Sequence, residues 1–262
     1  LVRTFRRLTR VPILLAAIAA SAALITVIGL AIGPHSREAL FAVDRERSEV
    51  ELNLSPGAQR TEVYDSNGKE IGILRYDIDR ELITISQVPD DVLETLLAVE
   101  DNKFWTHNGV DIRAISRAMI QNLTSGAITQ GGSTITQQIV KLRIVGNESS
   151  LSRKIREAVL AARLEEEFSK AQILEFYLNE IYFGNGAYGL QAAAETYFGK
   201  DVDQLDVGDA AFLAGLIRSP GIFDGFGDVE IVGKRRSMSL QSAEAAGIID
   251  ADEREEFEKR GL

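Results

Sequence analysis

Glu100 and Asp101 stand side by side where an apolar helical run (Val92, Leu93, Leu96, Leu97, Val99) comes to its end, with Phe104, Trp105, His107, Gly109 and Asp111 close behind. Two adjacent carboxylates at a helix end can be a solvated surface pair. In apolar and aromatic surroundings the same Glu has its pKa raised toward neutrality and becomes a usable general base. Taken alone, the dipeptide leaves both readings open. A second chemistry lies in Gly131-Gly132-Ser133-Thr134-Ile135-Thr136-Gln137-Gln138, where glycines followed by hydroxyl and amide side chains at a helix start offer backbone N–H groups to an anion. The plainer alternative is an ordinary N-cap at Ser133. In a third segment Arg153 and Glu157 are spaced i,i+4 and Lys154 and Glu157 i,i+3, so the three share one side of a helix. That side is either a salt-bridged, solvated face or a cationic cluster that grips a phosphate, with a carboxylate placed to position a group or a metal.

The elements that must position these groups are mostly helical. Thr61 to Leu74 predicts a hairpin, with Asn67-Gly68 supplying two positive-φ positions in a tight turn. Ser66 and Lys69 match the S-x-x-K of penicillin-recognising serine enzymes, but the turn explains these residues and no K-T-G follows. From Pro89 the pattern is helical: an apolar face at Ile112, Ile115, Met119, Ile120 and Leu123, and a charged amphipathic helix from Ser152 to Phe168. Ser169 then reads as an N-cap, with Gln172 closing a capping box. An alanine-rich helix follows from about Tyr188, another runs from near Asp206 to Leu216, and one or two terminal helices occupy residues 234–262.

Composition narrows the function classes. Cysteine is absent and there are two histidines, so a disulfide framework, a thiolate site and a His-rich zinc site are all excluded as readings. The net charge of −10 conceals Arg3, Arg6, Arg7 and Arg10 at the start, so the remainder is more acidic still and ill suited to nucleic acid. Val11 to Gly33 is an apolar run long enough to cross a hydrocarbon core of about 30 Å, and the arginines before it predict a cytoplasmic N-terminus with the rest outside. The rival is a signal peptide cleaved near Ala19 to Ala22, against which the length of the run argues. The expected organisation is a basic tail at 1–10, an anchor at 11–33, a stalk at 34–60, the main domain at 61–240 and an acidic helical tail at 241–262.

Taken in order, Glu100 to Asp111, Gly131 to Gln138, Arg153 to Glu157, Lys170 to Gly186 and Ala210 to Leu216 resemble the five successive motifs of the family 51 glycosyltransferases. These are the peptidoglycan polymerases that occur alone or as the first domain of class A penicillin-binding proteins. The resemblance covers about residues 60–240. It implies a mainly α, lysozyme-like helical domain with a small N-terminal β-hairpin, preceded by one transmembrane helix, and a membrane-dipping lobe between the first two motifs. By position it implies Glu100 as general base and Glu157 as second active-site carboxylate. Arg117, Ser133, Thr134, Gln137, Lys141, Arg153 and Lys154 would hold substrate and pyrophosphate. The implied reaction joins lipid II to a growing lipid-linked strand by inverting transfer at the outer face of a bacterial cytoplasmic membrane, alongside other cell-wall synthesis proteins. No organic cofactor is implied. Pyrophosphate charge would be met by the cations or by a divalent ion (Mg²⁺ or Mn²⁺), with Glu157 its candidate contact. A lysozyme-like hydrolase and a non-catalytic wall scaffold are the competing readings. A single-function enzyme and a piece of a bifunctional one fit equally.

Overall fold

The computed structural model describes residues 52–74, 78–125, 132–145, 151–217 and 229–260. The predicted tail, anchor and first part of the stalk lie outside the described residues. Among those described, no helix is long and apolar enough to cross a membrane.

The chain opens with a two-stranded antiparallel hairpin, β1 (Thr61–Tyr64) and β2 (Glu70–Leu74). Its turn is not the one expected. Gly68 has φ 81 but Asn67 does not take positive φ. The Asp65 carboxylate instead accepts from the Asn67 and Lys69 N–H groups, and Gly68 N–H closes on Asp65 O at 3.0 Å. The local Asp65 oxygen outcompetes the mirror-image turn, and one residue of register is absorbed between Val63 and Tyr64. Ser66 and Lys69 are exposed in this turn.

Helices make up the rest: α1 (Asp90–Glu100), α2 (Ile112–Ser125), α3 (Ile135–Val140), α4 (Leu151–Glu167) and α5 (Lys170–Glu180), then α6 (Leu190–Phe198), α7 (Val207–Ile217), α8 (Val229–Ala246) and α9 (Ala251–Lys259). A wider π-type turn, Lys141–Val145, continues α3. Ser169 caps α5 as its sequence predicts, accepting from Gln172 N–H. Between α5 and α6 lies a second hairpin that the sequence reading lacks, β3 (Tyr182–Gly184) with β4 (Ala187–Tyr188). Its turn residues Asn185 and Gly186 have φ 51 and 78, the two positive values that a two-residue hairpin turn needs.

The core is centred on α7, buried on nearly all sides from Val207 to Leu216 and packed against α1 and α8. A helix apolar all round belongs in the interior. Its small residues bring neighbours close: a Cβ on Gly215 would meet the Arg235 Cβ at 3.2 Å. A second layer joins α3 to α4 and α5. Residues 52–60 have no regular structure, yet they are fastened to this layer. Gly57 N–H donates to Glu180 Oε1 at 2.7 Å, the buried Arg80 guanidinium donates to Ala58 O at 2.6 Å and to Glu180 Oε2 at 3.3 Å, and Arg143 from the π-type turn donates to Ser55 O at 2.8 Å.

Candidate active site

Glu100 ends α1, and the following peptide turns sharply, with Asp101 at φ −159. The two adjacent carboxylates therefore go separate ways. Asp101 turns inward, 8% exposed, where its Oδ2 accepts from His107 Nε2 at 2.8 Å and from Ile135 N–H at 3.0 Å. One carboxylate thus fastens both the 102–110 loop and the start of α3. A charge at a helix N-terminus adds to that hold. His107 is held from its other side by Lys170, whose Nζ lies 3.2 Å from Nδ1 and 2.7 Å from Glu165 Oε1.

The same loop is pressed onto α4 at Gly109, φ 79, where a Cβ would come within 2.6 Å of the Ala161 backbone. Only glycine fits there on both counts. The Thr134 hydroxyl donates to Gly109 O at 2.6 Å and also caps α3, accepting from Gln137 N–H at 3.1 Å. Gln137 completes the cap with its Oε1 on Thr134 N–H at 3.0 Å. The N-cap is thus Thr134 and not Ser133, because Thr134 alone reaches the Gly109 carbonyl as well.

Displacing the cap by one residue frees Ser133 for the site. A cleft is lined by Glu100, Asp101, Asp111, Arg117, Gly132, Ser133 and Thr134, among others. On its rim Ser133 Oγ accepts from Lys154 Nζ at 2.7 Å, and Lys154 donates onward to Glu157 Oε2 at 2.7 Å. Arg153 takes the other oxygen, Oε1. Glu157 itself is 0% exposed, whereas the Lys154 side chain is 44% exposed, so the carboxylate is the anchor and the cations are its solvent-facing arms. Lys141 is exposed at the start of the π-type turn and is not among the residues lining the cleft.

Two contributors were not singled out from sequence. Gln138 donates its Nε2–H to Glu100 Oε2 at 2.9 Å, and the Tyr177 hydroxyl donates to Gln138 Oε1 at 3.2 Å. Adjacent glutamines on a helix point about 100° apart. Gln137 therefore serves the cap while Gln138 reaches the cleft, and that divergence is the signal the Gln-Gln dipeptide carries. Burial drives the Tyr177 pKa well above its ordinary value, with the Glu100 and Asp101 charges adding to the rise. The phenol stays protonated through any neutral or mildly alkaline pH and holds the amide in one orientation. Replacing Gln138 by Ala is expected to lower the turnover of any reaction that uses Glu100 as base by about tenfold, the scale of losing one hydrogen bond to a charged group. KM should move far less, which steady-state kinetics would check.

Comparison with known proteins gives the chain its family. A family model described as Transglycosylase matches residues 67–244. The chain is 43% identical over 204 residues to penicillin-binding protein 1A of Aquifex aeolicus, covering 78% of this chain and 28% of that protein. It is 37% identical over 193 residues to penicillin-binding protein 1F of Bacillus subtilis, covering 74% of this chain and 27% of that one. With penicillin-binding protein 1A of Pseudomonas aeruginosa it shares 40% identity over 191 residues, 72% of this chain and 23% of the relative. The chain thus spans about a quarter of the length of these relatives.

Proposed function

Because the chain belongs to the transglycosylase family, we propose that it polymerises lipid-linked disaccharides, lipid II among them, into peptidoglycan strands by inverting glycosyl transfer. The observation that carries the reading is one cleft in which a carboxylate at a helix end, Glu100, faces Ser133 and, through it, the Lys154–Glu157–Arg153 cluster. A hydrolase acting on neutral glycan has no use for such cations. A leaving pyrophosphate does.

In the proposed step Glu100 accepts the proton of the sugar 4-hydroxyl. The freed oxygen forms a bond to the anomeric carbon of the growing chain from the face opposite its pyrophosphate. The anomeric C–O bond breaks and the electron pair departs on the lipid pyrophosphate, inverting the centre. This follows an inverting glycosidase with a hydroxyl in the place of water. Pyrophosphate leaves readily once its charge is met, so preorganised cations serve better than a proton donor. Arg153 and Lys154, held by Glu157, take that role, with Arg117 and Ser133 on the cleft wall. Thr134 and Gln137 act one step back, by building the α3 start. Lys141 would meet a longer portion of the substrate beyond the cleft.

The donor set does not suit a protein-built site for Mg²⁺ or Mn²⁺. Among the described residues no group of three His, Asp or Glu side chains is arranged to hold a metal ion, and both Glu157 oxygens are occupied by cations. The charge of the leaving group is therefore assigned to Arg153 and Lys154. The span at Val11 to Gly33 would hold the domain beside its lipid substrate at the outer face of the cytoplasmic membrane.

The test is incubation of the detergent-solubilised full chain with purified lipid-linked disaccharide, products being resolved by length on a gel. Long strands with released lipid pyrophosphate are expected. A folded chain that makes no polymer across a series of detergents and divalent ions would overturn the proposal.

A further inference from the structure

A second cavity shares its threshold with the Glu100 cleft. Ala98, Val99 and Asn102, at the end of α1, line both. From there the cavity runs between α7 and α8, with Ala214 and Gly215 on one wall and residues from Arg235 to Ala246 on the other, and encloses about 360 Å³. That is the size of a small ligand site. None of the groups given a part in the transfer step lines it. Its threshold residues bracket Glu100 on the helix, so the opening lies within one turn of that carboxylate.

The chemistry of the lining is one-sided. Among the described residues that form it there is no Asp, no Glu and no aromatic ring, and the one cation is Arg235. In a chain of net charge −10, a wall free of carboxylates that carries a guanidinium favours an anion. Arg235, Ser239, Ser242 and Ala246 recur at i, i+4, i+7 and i+11, one face of α8. Arg235 Nη1 donates to Gly215 O at 3.3 Å, which ties the guanidinium to α7. The Ser239 hydroxyl donates to Arg235 O and the Ser242 hydroxyl to Met238 O, each at 3.1 Å. Each hydroxyl thus uses its single donor on the preceding turn and keeps its oxygen as an acceptor. The preferred ligand therefore combines negative charge with N–H donors. A pyrophosphate has the charge but no N–H, and a neutral sugar has no charge. A peptide bearing carboxylates has both.

We propose that this cavity receives the acidic peptide carried by a reacting sugar, with Arg235 pairing with a peptide carboxylate and Ser239 and Ser242 accepting from peptide N–H groups. The proposal rests on the polymerase reading above, because the peptide of peptidoglycan is attached to its sugar before the strand is made. A substituent on a sugar held at Glu100 has to leave the cleft close to the reacting carbon, and the shared threshold at Ala98, Val99 and Asn102 is such an exit. Alanine and glycine along the walls leave room for a second backbone. Met238, 58% exposed at the lining, gives adaptable apolar cover to the side chains of the peptide. A guanidinium fork holds a carboxylate through two parallel hydrogen bonds, so Arg235 both orients the peptide and separates acidic peptides from amidated ones.

The full chain in detergent would be titrated with soluble N-acetylmuramoyl-pentapeptide, with the same compound amidated at its carboxylates, and with inorganic pyrophosphate. Calorimetry gives the affinity, and amide hydrogen exchange locates the ligand. The acidic peptide is expected to bind about tenfold more tightly than its amidated form, the scale of one charge-assisted pair, with exchange slowed at residues 235–246. Arg235→Gln should bind the two forms alike and Arg235→Lys should keep part of the preference, with the helical circular dichroism of both unchanged. Equal affinity of the parent for the two forms would overturn the carboxylate contact. Protection of 235–246 by pyrophosphate and not by peptide would overturn the ligand class, and peptide protection elsewhere or nowhere would overturn the site. The discrimination shown by the parent decides the matter even if neither variant folds. A chain that polymerises without this protection loses only the peptide site, whereas one that is protected but makes no polymer loses only the polymerase reading.

Discussion

Glu100→Gln abolishes strand formation while leaving the domain folded: the expected loss in polymerisation rate is about 10³-fold, within the range that a positioned general base contributes. The substitution is close to isosteric. The Gln138 amide, which donates to Glu100 Oε2 at 2.9 Å, still finds a carbonyl oxygen on the new side chain. Tyr177 continues to orient that amide, and Asp101 continues to hold His107 and the start of α3. What disappears is the Glu100 carboxylate charge, and with it the proposed proton acceptor. A thermal melt within a few degrees of the parent's, together with a flat progress curve, is therefore the expected pair of observations. Activity within tenfold of the parent's would remove Glu100 as the base and return the site to the question of which carboxylate accepts the proton. A low rate accompanied by an early melt would show instead that the side chain was holding α1 to α3.

The contrast between Glu100 and Asp101 shows what sequence could and could not supply. Both residues stand out at the end of an apolar helical run, and nothing local separates them. Their divergence is fixed by partners from elsewhere in the chain: His107 in the following loop and the Ile135 amide at the start of α3. The helices were legible because periodicity and capping are local properties, as at Ser169 and Gln172. The turns at two of the three Asn-Gly dipeptides were not. At residues 67–68 a neighbouring carboxylate, Asp65, captures the backbone and imposes another turn. At 185–186 the two-residue turn forms because Asp79, remote in sequence, bonds to Gly186 O and Tyr188 N–H at 2.9 Å each, and because Tyr182 and Tyr188 lie ring to ring at 4.6 Å. Likewise Ser133 and Thr134 are equivalent caps by composition. The Gly109 carbonyl chooses between them, and that choice releases Ser133 to Lys154.

The same logic makes Glu157→Gln the most informative change in the cationic cluster. Glu157 is wholly buried and gives one oxygen to each of Arg153 and Lys154. The amide fills the same volume but cancels the charge, leaving two cations close together with no counter-charge. Lys154, already half in solvent, is free to swing away, and the Ser133 contact goes with it. Breaking a buried ion pair on one side costs about 3–5 kcal/mol, and the exposure of Lys154 places this case at or below the lower end, about 3 kcal/mol. The expected result is a lowered melting temperature and a loss of about 10²-fold in kcat/KM, the scale of removing one preorganised stabilising group. A divalent-ion titration separates the two roles left open for this carboxylate. If Glu157 only arrays Arg153 and Lys154, the loss is the same at every Mg²⁺ concentration. If it is a metal contact, the variant requires more Mg²⁺ than the parent and recovers as the ion is raised, and the cation cluster is then secondary to the ion. With both carboxylate oxygens already engaged by nitrogen donors, the first outcome is the one expected.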